Sequence, residues 1–438
     1  MKRILLTGAT GVMGMEGLKH LVEFPYRYEI TVLARDSKKN RKKLAPFIAK
    51  GVKAVWGDLL DKEAVKEGVG NADIVLHVGG MVSPEADRYP EQTIRVNVGG
   101  MRNIIEASLP RKNEISVVYI GSVSQYGPRY VPDHWGQCGD PLLPAYRDAY
   151  AFSKVTAERL LLESDIRKCV SLRQTGILHS GLLKKANDPI AFHVPIKGVL
   201  EWVTAEDSGR LLEKVCSDDV PDSFWGKTYN IGGGAPYRLT NYEFESMILK
   251  ASGCPSPEKI FDTGWFATRN FHGMWYTDSD DLEQILHFRS GRSLSDYLKI
   301  MKSELPWYFS LAPLAPAFLI KAFMRKVAMT PELGTLWWLK TDSKALIDIA
   351  WGSREEHDSI PGWSETDLTR PSDVNPGVHG KCEQEAEDCD CTVRSVCPEC
   401  GTEYSLRIRT KSAGHGCPEC LRRRLRMELP ADIIKIIS

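Results

Sequence analysis

The chain has no excess of either charge: lysine and arginine number 57, as do aspartate and glutamate. A bulk electrostatic attraction to nucleic acid or to an anionic membrane is therefore excluded as its organising feature. It also lacks a long uncharged apolar run. The longest apolar stretch, residues 309–329, is broken by Pro313 and Pro316 and charged by Lys321, Arg325 and Lys326. A spanning helix needs about 20 largely uncharged residues, so this stretch reads as an apolar helical insertion or, less favoured, an interfacial helix. The opening MKRILLTG is a strand pattern without the apolar core of a secretion signal. Cysteine is nearly missing from the first 380 residues: only Cys138, Cys169, Cys216 and Cys254 occur there, against seven between 382 and 420. That clustering argues against a disulfide framework and for metal in a reducing compartment, with the cytoplasm as the expected location.

The first half is dense in one pattern. Residues 3–7 form an apolar strand, followed at once by Gly8-x-x-Gly11-x-x-Gly14 and a helix-like run. In that context the first glycine permits a tight turn and the second lets amides approach a pyrophosphate. The third allows the helix to pack close. Apolar segments recur at 29–34, 53–56, 73–78 and 115–120 with helical stretches between them. Such alternation predicts an α/β fold with a doubly wound parallel sheet. Ligands then bind at the carboxyl ends of the strands, where Arg35, Asp58, His77 and Ser122 stand. Arg35, with Lys38 and Lys39 nearby, complements a ribose 2′-phosphate and favours NADP, although Asp36 could serve NAD.

Tyr150 and Lys154 are four residues apart, on one face of a predicted helix. A free phenol titrates near 10, and a neighbouring ammonium favours the phenolate, which brings the pair within range of proton transfer. Ser122, just past a strand end, is placed to hold a substrate oxygen, with Ser124 as a second candidate.

Together TGATGVMG, GDL (57–59), HVGG (77–80), VNVGG (96–100), GSVSQYG and YAFSK resemble the extended short-chain dehydrogenase/reductase family, over about residues 1–300. That family includes NAD-dependent epimerase/dehydratases, dihydroflavonol reductases and 3β-hydroxysteroid dehydrogenases. The resemblance implies a Rossmann core with a smaller α/β substrate lobe. It assigns catalysis to Ser122, Tyr150 and Lys154. It assigns cofactor contacts to Gly8, Thr10, Gly11, Val12, Gly14, Arg35, Asp58, Leu59, Val78 and Gly79, besides Tyr150 and Lys154. Asn97 is expected to brace the sheet. The implied reaction is hydride transfer between nicotinamide and a carbonyl or secondary alcohol. LRQTGILHS (172–180) lacks the Arg-Pro-x-Asn and Tyr-Gly-Pro pattern of sugar-nucleotide members. That departure, and aromatics such as Trp265, Phe266, Phe271, Trp275, Tyr276, Trp307, Tyr308, Trp337 and Trp338, favour an apolar substrate: steroid, isoprenoid or aromatic. The alternatives are a sugar-nucleotide epimerase or dehydratase retaining NAD, and an NADP-binding regulatory or nucleic-acid-binding protein.

Thr-Asp-Ser recurs at 277–279 and 341–343, each time as an expected N-cap before an amphipathic helix. The organisation reads as a core over 1–175 with parts of 205–230, a lobe over 176–352 with the insertion near 300–340, a linker over 353–380 and a metal module over 381–438. In the module Cys397, Cys400, Cys417 and Cys420 have zinc-ribbon spacing, which closes a structural four-thiolate site for zinc rather than iron. Cys382, Cys389 and Cys391 read as a reduced thiol cluster or, with His415, a second site. Expected partners are a small-molecule substrate and a second copy in a homo-oligomer, ahead of nucleic acid or a membrane surface.

Overall fold

The computed structural model describes residues 1–184, 188–307, 315–377 and 391–437. Seven strands form a parallel sheet: β1 (Lys2–Thr7), β2 (Tyr28–Ala34), β3 (Lys53–Trp56), β4 (Ile74–His77), β5 (Ser116–Ser122), β6 (Lys168–Gln174) and β7 (Thr228–Ile231), in the order β7-β6-β5-β4-β1-β2-β3. Their apolar side chains are buried on both faces, as a sheet covered by helices on each side requires. The strand order reverses direction between β1 and β4, and this switch point opens a crevice at the carboxyl ends of the strands.

Helices α1 (Val12–Leu21), α2 (Lys38–Ile48), α3 (Lys62–Val69), α4 (Gly100–Ser108), α5 (Ala149–Leu162) and α6 (Ala205–Lys214) flank the sheet. The entry to α4 is a π-helical turn, Arg95–Gly99, where Asn97 is buried. Asn97 Oδ1 accepts from Met81 N (2.7 Å), and its amide donates to Met81 O (3.1 Å) and Ser153 Oγ (2.8 Å). One side chain thereby ties the loop after β4 to α5, the bracing role expected of it.

In the lobe, Trp265 and Phe266 pack with Phe192 and Phe261, and a helix over Ala317–Ala328 covers them with Met324, Val327 and Ala328. Trp275 and Tyr276 are fully buried and Trp338 nearly so. These aromatics are core, so they do not line an apolar pocket, and that argument for the substrate falls away. Phe271 is half-buried, Trp307 is exposed, and Tyr308 lies outside the described residues. No helix among the described residues is long and apolar enough to cross a membrane.

The repeated Thr-Asp-Ser segments do precede helices, Ser279–Leu286 and Lys344–Ala350, but neither Asp278 nor Ser343 caps its helix with a side chain. Asp278 instead accepts from Asn230 Nδ2 (2.9 Å) and Cys138 N (2.7 Å), because burial among those donors outweighs a local cap. In the stretch from 353 to 377 a helix spans Arg354–Asp358. Trp363 Nε1 donates to Phe261 O (2.8 Å), and Arg370 pairs with Glu243 (2.5 Å). Its polar composition is that of a surface strap fastened to the lobe.

The tail is docked on the core. Strands Thr392–Val396 and Glu403–Arg407 form a hairpin, followed by helices Pro418–Arg424 and Ala431–Ile437. Leu425 and Ile433 bury themselves against Ile94, Val98, Ala149 and Phe152. Arg409 donates to Leu162 O and Ser164 O at the carboxyl end of α5, and Arg407 pairs with Asp165 at 2.6 Å.

Candidate active site and metal centre

The glycine loop follows from β1. Gly8 has φ +74°, and a Cβ there would lie 2.7 Å from Gly79 N; one on Gly14 would lie 2.3 Å from Gly8 O. Strand, turn and helix therefore interlock only without side chains. Gly11, which opens α1, is less crowded, and the first-turn amides of that helix present a place for a phosphate. Lys43 Nζ donates to Thr10 O (2.7 Å) and brings a cation to the rim.

Arg35 is exposed at the end of β2, whereas Asp36 is held by Arg41 in a two-bond ion pair (2.6 and 2.9 Å). The carboxylate that could serve an NAD ribose is thus engaged, and its pKa is lowered by Arg41. Asp58 follows β3 and accepts from Leu60 N (3.0 Å), while Leu59 O accepts from Asn103 Nδ2 (2.8 Å). Val78 and Gly79 are partly exposed at the end of β4. His77 differs from the other strand-end residues. It is buried, its Nδ1 lies 2.9 Å from Thr7 Oγ1, and burial with the Lys154 cation nearby pulls its pKa to about 3. It pins β1 to β4 as a neutral ring and does not face a ligand.

Asp148 caps α5 by accepting from Ala151 N (2.8 Å), which sets Tyr150 in the first turn. Tyr150 is half-buried, and the Ser122 hydroxyl beside it acts to lower its pKa. Ser122 Oγ in turn accepts from Ser124 Oγ (2.9 Å) and Ser124 N (3.2 Å), so Ser122 faces Tyr150 and Ser124 stands behind it. Lys154 is buried, donates to Ile120 O (2.8 Å), and has its Nζ 5.9 Å from the Tyr150 ring centroid. Burial raises the phenol to about 12, against the lowering by Ser122, and lowers the Lys154 ammonium to about 8, against the raising by Glu158. A half-buried phenol beside a buried ammonium can exchange a proton with a substrate oxygen that reaches it.

Sequence reading missed the charge behind this pair. Glu158, one turn beyond Lys154 on α5, is fully buried and pairs with Arg173 (2.5 Å), His415 (2.8 Å) and the Ser171 hydroxyl (2.5 Å). Its i+4 spacing from Lys154 was the available signal. Arg173 also donates to Ala413 O (2.6 Å) in the tail. His415 engages Glu158 through its Nε2; Cys382 and Cys389 lie outside the described residues, and Cys391 is exposed.

The ligand atoms of Cys397, Cys400, Cys417 and Cys420 all lie within 4.8 Å of one another. Cys397 and Cys420 sulfurs are 3.5 Å apart, and Cys400 and Cys417 sulfurs 3.6 Å. Those separations are close to the edge of about 3.8 Å of a tetrahedron with zinc–sulfur bonds of about 2.3 Å. The donor set fits a closed four-thiolate metal site.

The seven-stranded parallel sheet, the glycine loop and the switch-point crevice define the class: a Rossmann-type α/β fold. Residues 4–173 match the model of the NAD dependent epimerase/dehydratase family. Human 3 beta-hydroxysteroid dehydrogenase type 7 is 30% identical over 194 residues, 40% of this chain and 50% of that protein. An inverting UDP-N-acetylglucosamine 4,6-dehydratase from Campylobacter jejuni is 33% identical over 107 residues, 24% of this chain and 32% of that protein. The chain spans about half the length, or less, of these curated relatives. Among solved structures, a double mutant of DesIV, a dTDP-glucose 4,6-dehydratase from Streptomyces venezuelae with NAD and DAU bound, superposes with a TM-score of 0.56. It is 21% identical, with 70% of this chain and 96% of that chain covered. At that identity the likeness speaks for the fold.

Proposed function

We propose that the chain is an NADP-preferring oxidoreductase of the extended short-chain type, acting on a carbonyl or secondary alcohol of an apolar substrate. The observation that carries this reading is Tyr150 in the first turn of the helix that also buries Lys154, with Lys154 Nζ 5.9 Å from the Tyr150 ring centroid. Bound nicotinamide supplies or accepts the hydride. The chain's part is to hold the substrate oxygen on Ser122, move the proton at the Tyr150 hydroxyl, and keep a cation at Lys154 that favours the phenolate. Thr10, Gly11 and Val12 at the helix start would cradle the pyrophosphate, Asp58 and Leu59 would border the adenine, and Val78 and Gly79 the adjoining ribose. Arg35 would meet a 2′-phosphate, a reading supported by the engagement of Asp36 with Arg41. The apolar substrate rests on the likeness to 3β-hydroxysteroid dehydrogenases and on Gln174 where sugar-nucleotide members carry proline.

The four cysteines would hold zinc as a structural ion, since a closed tetrahedral set leaves no position for water. A homo-oligomer in the cytoplasm, where thiols stay reduced, completes the proposal. Purified protein supplied with NADPH and a panel of ketones should consume the cofactor steadily. A second reading, a sugar-nucleotide dehydratase or epimerase that retains its NAD, is favoured by the Campylobacter relative. Turnover of a sugar nucleotide without net cofactor consumption would decide for it.

A further inference from the structure

The tail, the loop before α5 and the lobe together enclose a cleft of about 750 Å³ that the proposed reaction does not use. Four arginines line it: Arg129, Arg269, Arg424 and Arg426. Two are committed, Arg129 to Asp140 (2.8 Å) and Arg269 to Glu356. The other two converge on one ring. The guanidinium carbon of Arg424 lies 4.7 Å, and that of Arg426 3.8 Å, from the centroid of Tyr146. Neither meets a carboxylate among the described residues; Arg424 spends its donors on Pro144 O (2.6 Å) and Leu143 O (3.4 Å). Two like charges on one phenol ring repel, and an anion between them removes that cost.

The cleft is built rather than incidental. Asn270 grips Tyr146 from both sides, accepting from its N (2.8 Å) and donating to its O (3.1 Å), while the Asn270 amide donates to the Tyr130 hydroxyl (2.8 Å). The Arg147 amide donates to Arg424 O (3.0 Å) and locks the tail to the same loop. Arg147, Asn270 and Arg426 all have positive φ, at 63°, 65° and 48°. Such backbone is costly for arginine and persists where the surroundings enforce it. Around the cations, Tyr130, Val131 and Leu143 stay 45–51% exposed and supply an apolar wall. Asp133 and Asp348 also line the cleft, which confines an anion to the Arg424–Arg426 pair.

The geometry points to a second small-molecule site, which takes a phosphate monoester with an aromatic body: phosphate on Arg424 and Arg426, ring against Tyr130 and Leu143. It is separate from the glycine loop and exists only while the tail is docked.

The test uses full-length protein saturated with NADP, so that the glycine loop is occupied, titrated calorimetrically with phenyl phosphate and with inorganic phosphate. Saturable binding of phenyl phosphate, tighter than that of inorganic phosphate, is expected. Arg426→Gln, an exposed position, should weaken it about tenfold or more, the loss of a charge-assisted hydrogen bond. Asn270→Ala should erode the preference for the aromatic ester. No saturable binding, or an affinity unchanged in Arg426→Gln, overturns the site. Equal binding of the two phosphates overturns its aromatic half, and binding seen only when NADP is left out would place the ligand in the cofactor loop and overturn the site.

Discussion

His415 Nε2 lies 2.8 Å from Glu158 Oε1, with both side chains almost wholly shut away from water. One residue belongs to the tail, between the two cysteine knuckles; the other stands one turn beyond Lys154 on the helix that bears Tyr150. The folding of the tail and the setting of α5 are therefore mechanically one problem, and the proposed metal, by ordering the tail, would also steady α5.

Cutting this connection has graded consequences. Glu158→Ala leaves Arg173 buried without its carboxylate, a loss of about 3–5 kcal/mol for a broken buried pair. His415→Ala keeps the Glu158–Arg173 pair and should cost less. Chelation, or Cys397→Ser, would remove the ion proposed there, whose binding would supply folding energy to so small a module. Thermal unfolding and hydrogen exchange should show lost protection over 403–425, while NADP binding at Gly8, Gly11 and Gly14 persists. Full retention of tail protection after chelation would refute a metal-ordered tail.

The pH profile follows from Lys154. Its ammonium, lowered to about 8 by burial, is present below that pH and lost above it. Ketone reduction should accordingly decline as pH rises through about 8, because the cation that assists proton release from Tyr150 disappears. In Lys154→Arg, whose charge persists at all accessible pH, the decline should vanish from the profile even though the rate is lower.

Asp148 offers a stability measurement with a definite sign. Burial, with a smaller contribution from Asp87, raises its carboxyl to about 7 from an ordinary 3.8. The folded state thus holds a proton that the unfolded chain releases, so the stability it contributes is whole below 3.8 and is lost as pH rises through about 7. Asp148→Asn keeps an acceptor at the N-cap and removes the charge. Its Tm should exceed that of the parent at pH above 7 and approach it in acid. A lower Tm throughout would count against this account.

The proposed preference for NADP rests on Arg35. Arg35→Ala should weaken NADP by about 1.5–3 kcal/mol, roughly tenfold or more in Kd, and leave NAD nearly untouched. Equal effects on both dinucleotides would place Arg35 away from the 2′-phosphate.

Much of the sheet was legible because each strand is a short apolar run bounded by turn residues, and β3 falls on the expected residues 53–56. The Tyr150–Lys154 pair was legible because four-residue spacing fixes a shared helical face. What was hidden is long-range. Nothing local marks His415 as the partner of a carboxylate 257 residues away, or Asp278 as an acceptor for Asn230 and Cys138 instead of a cap. The aromatics misled for a related reason: composition reports apolar mass but not whether Trp275 or Tyr276 faces a cavity or a neighbour.

The most direct measurement follows deuterium from NADPH labelled at nicotinamide C4 into product, in the parent protein and in Tyr150→Phe. The account predicts label in the alcohol formed from an apolar ketone, with the rate in Tyr150→Phe reduced by ~10²–10⁴ as expected for loss of a general acid. Substrate turnover with no deuterium in the product, or an undiminished rate in Tyr150→Phe, would contradict it.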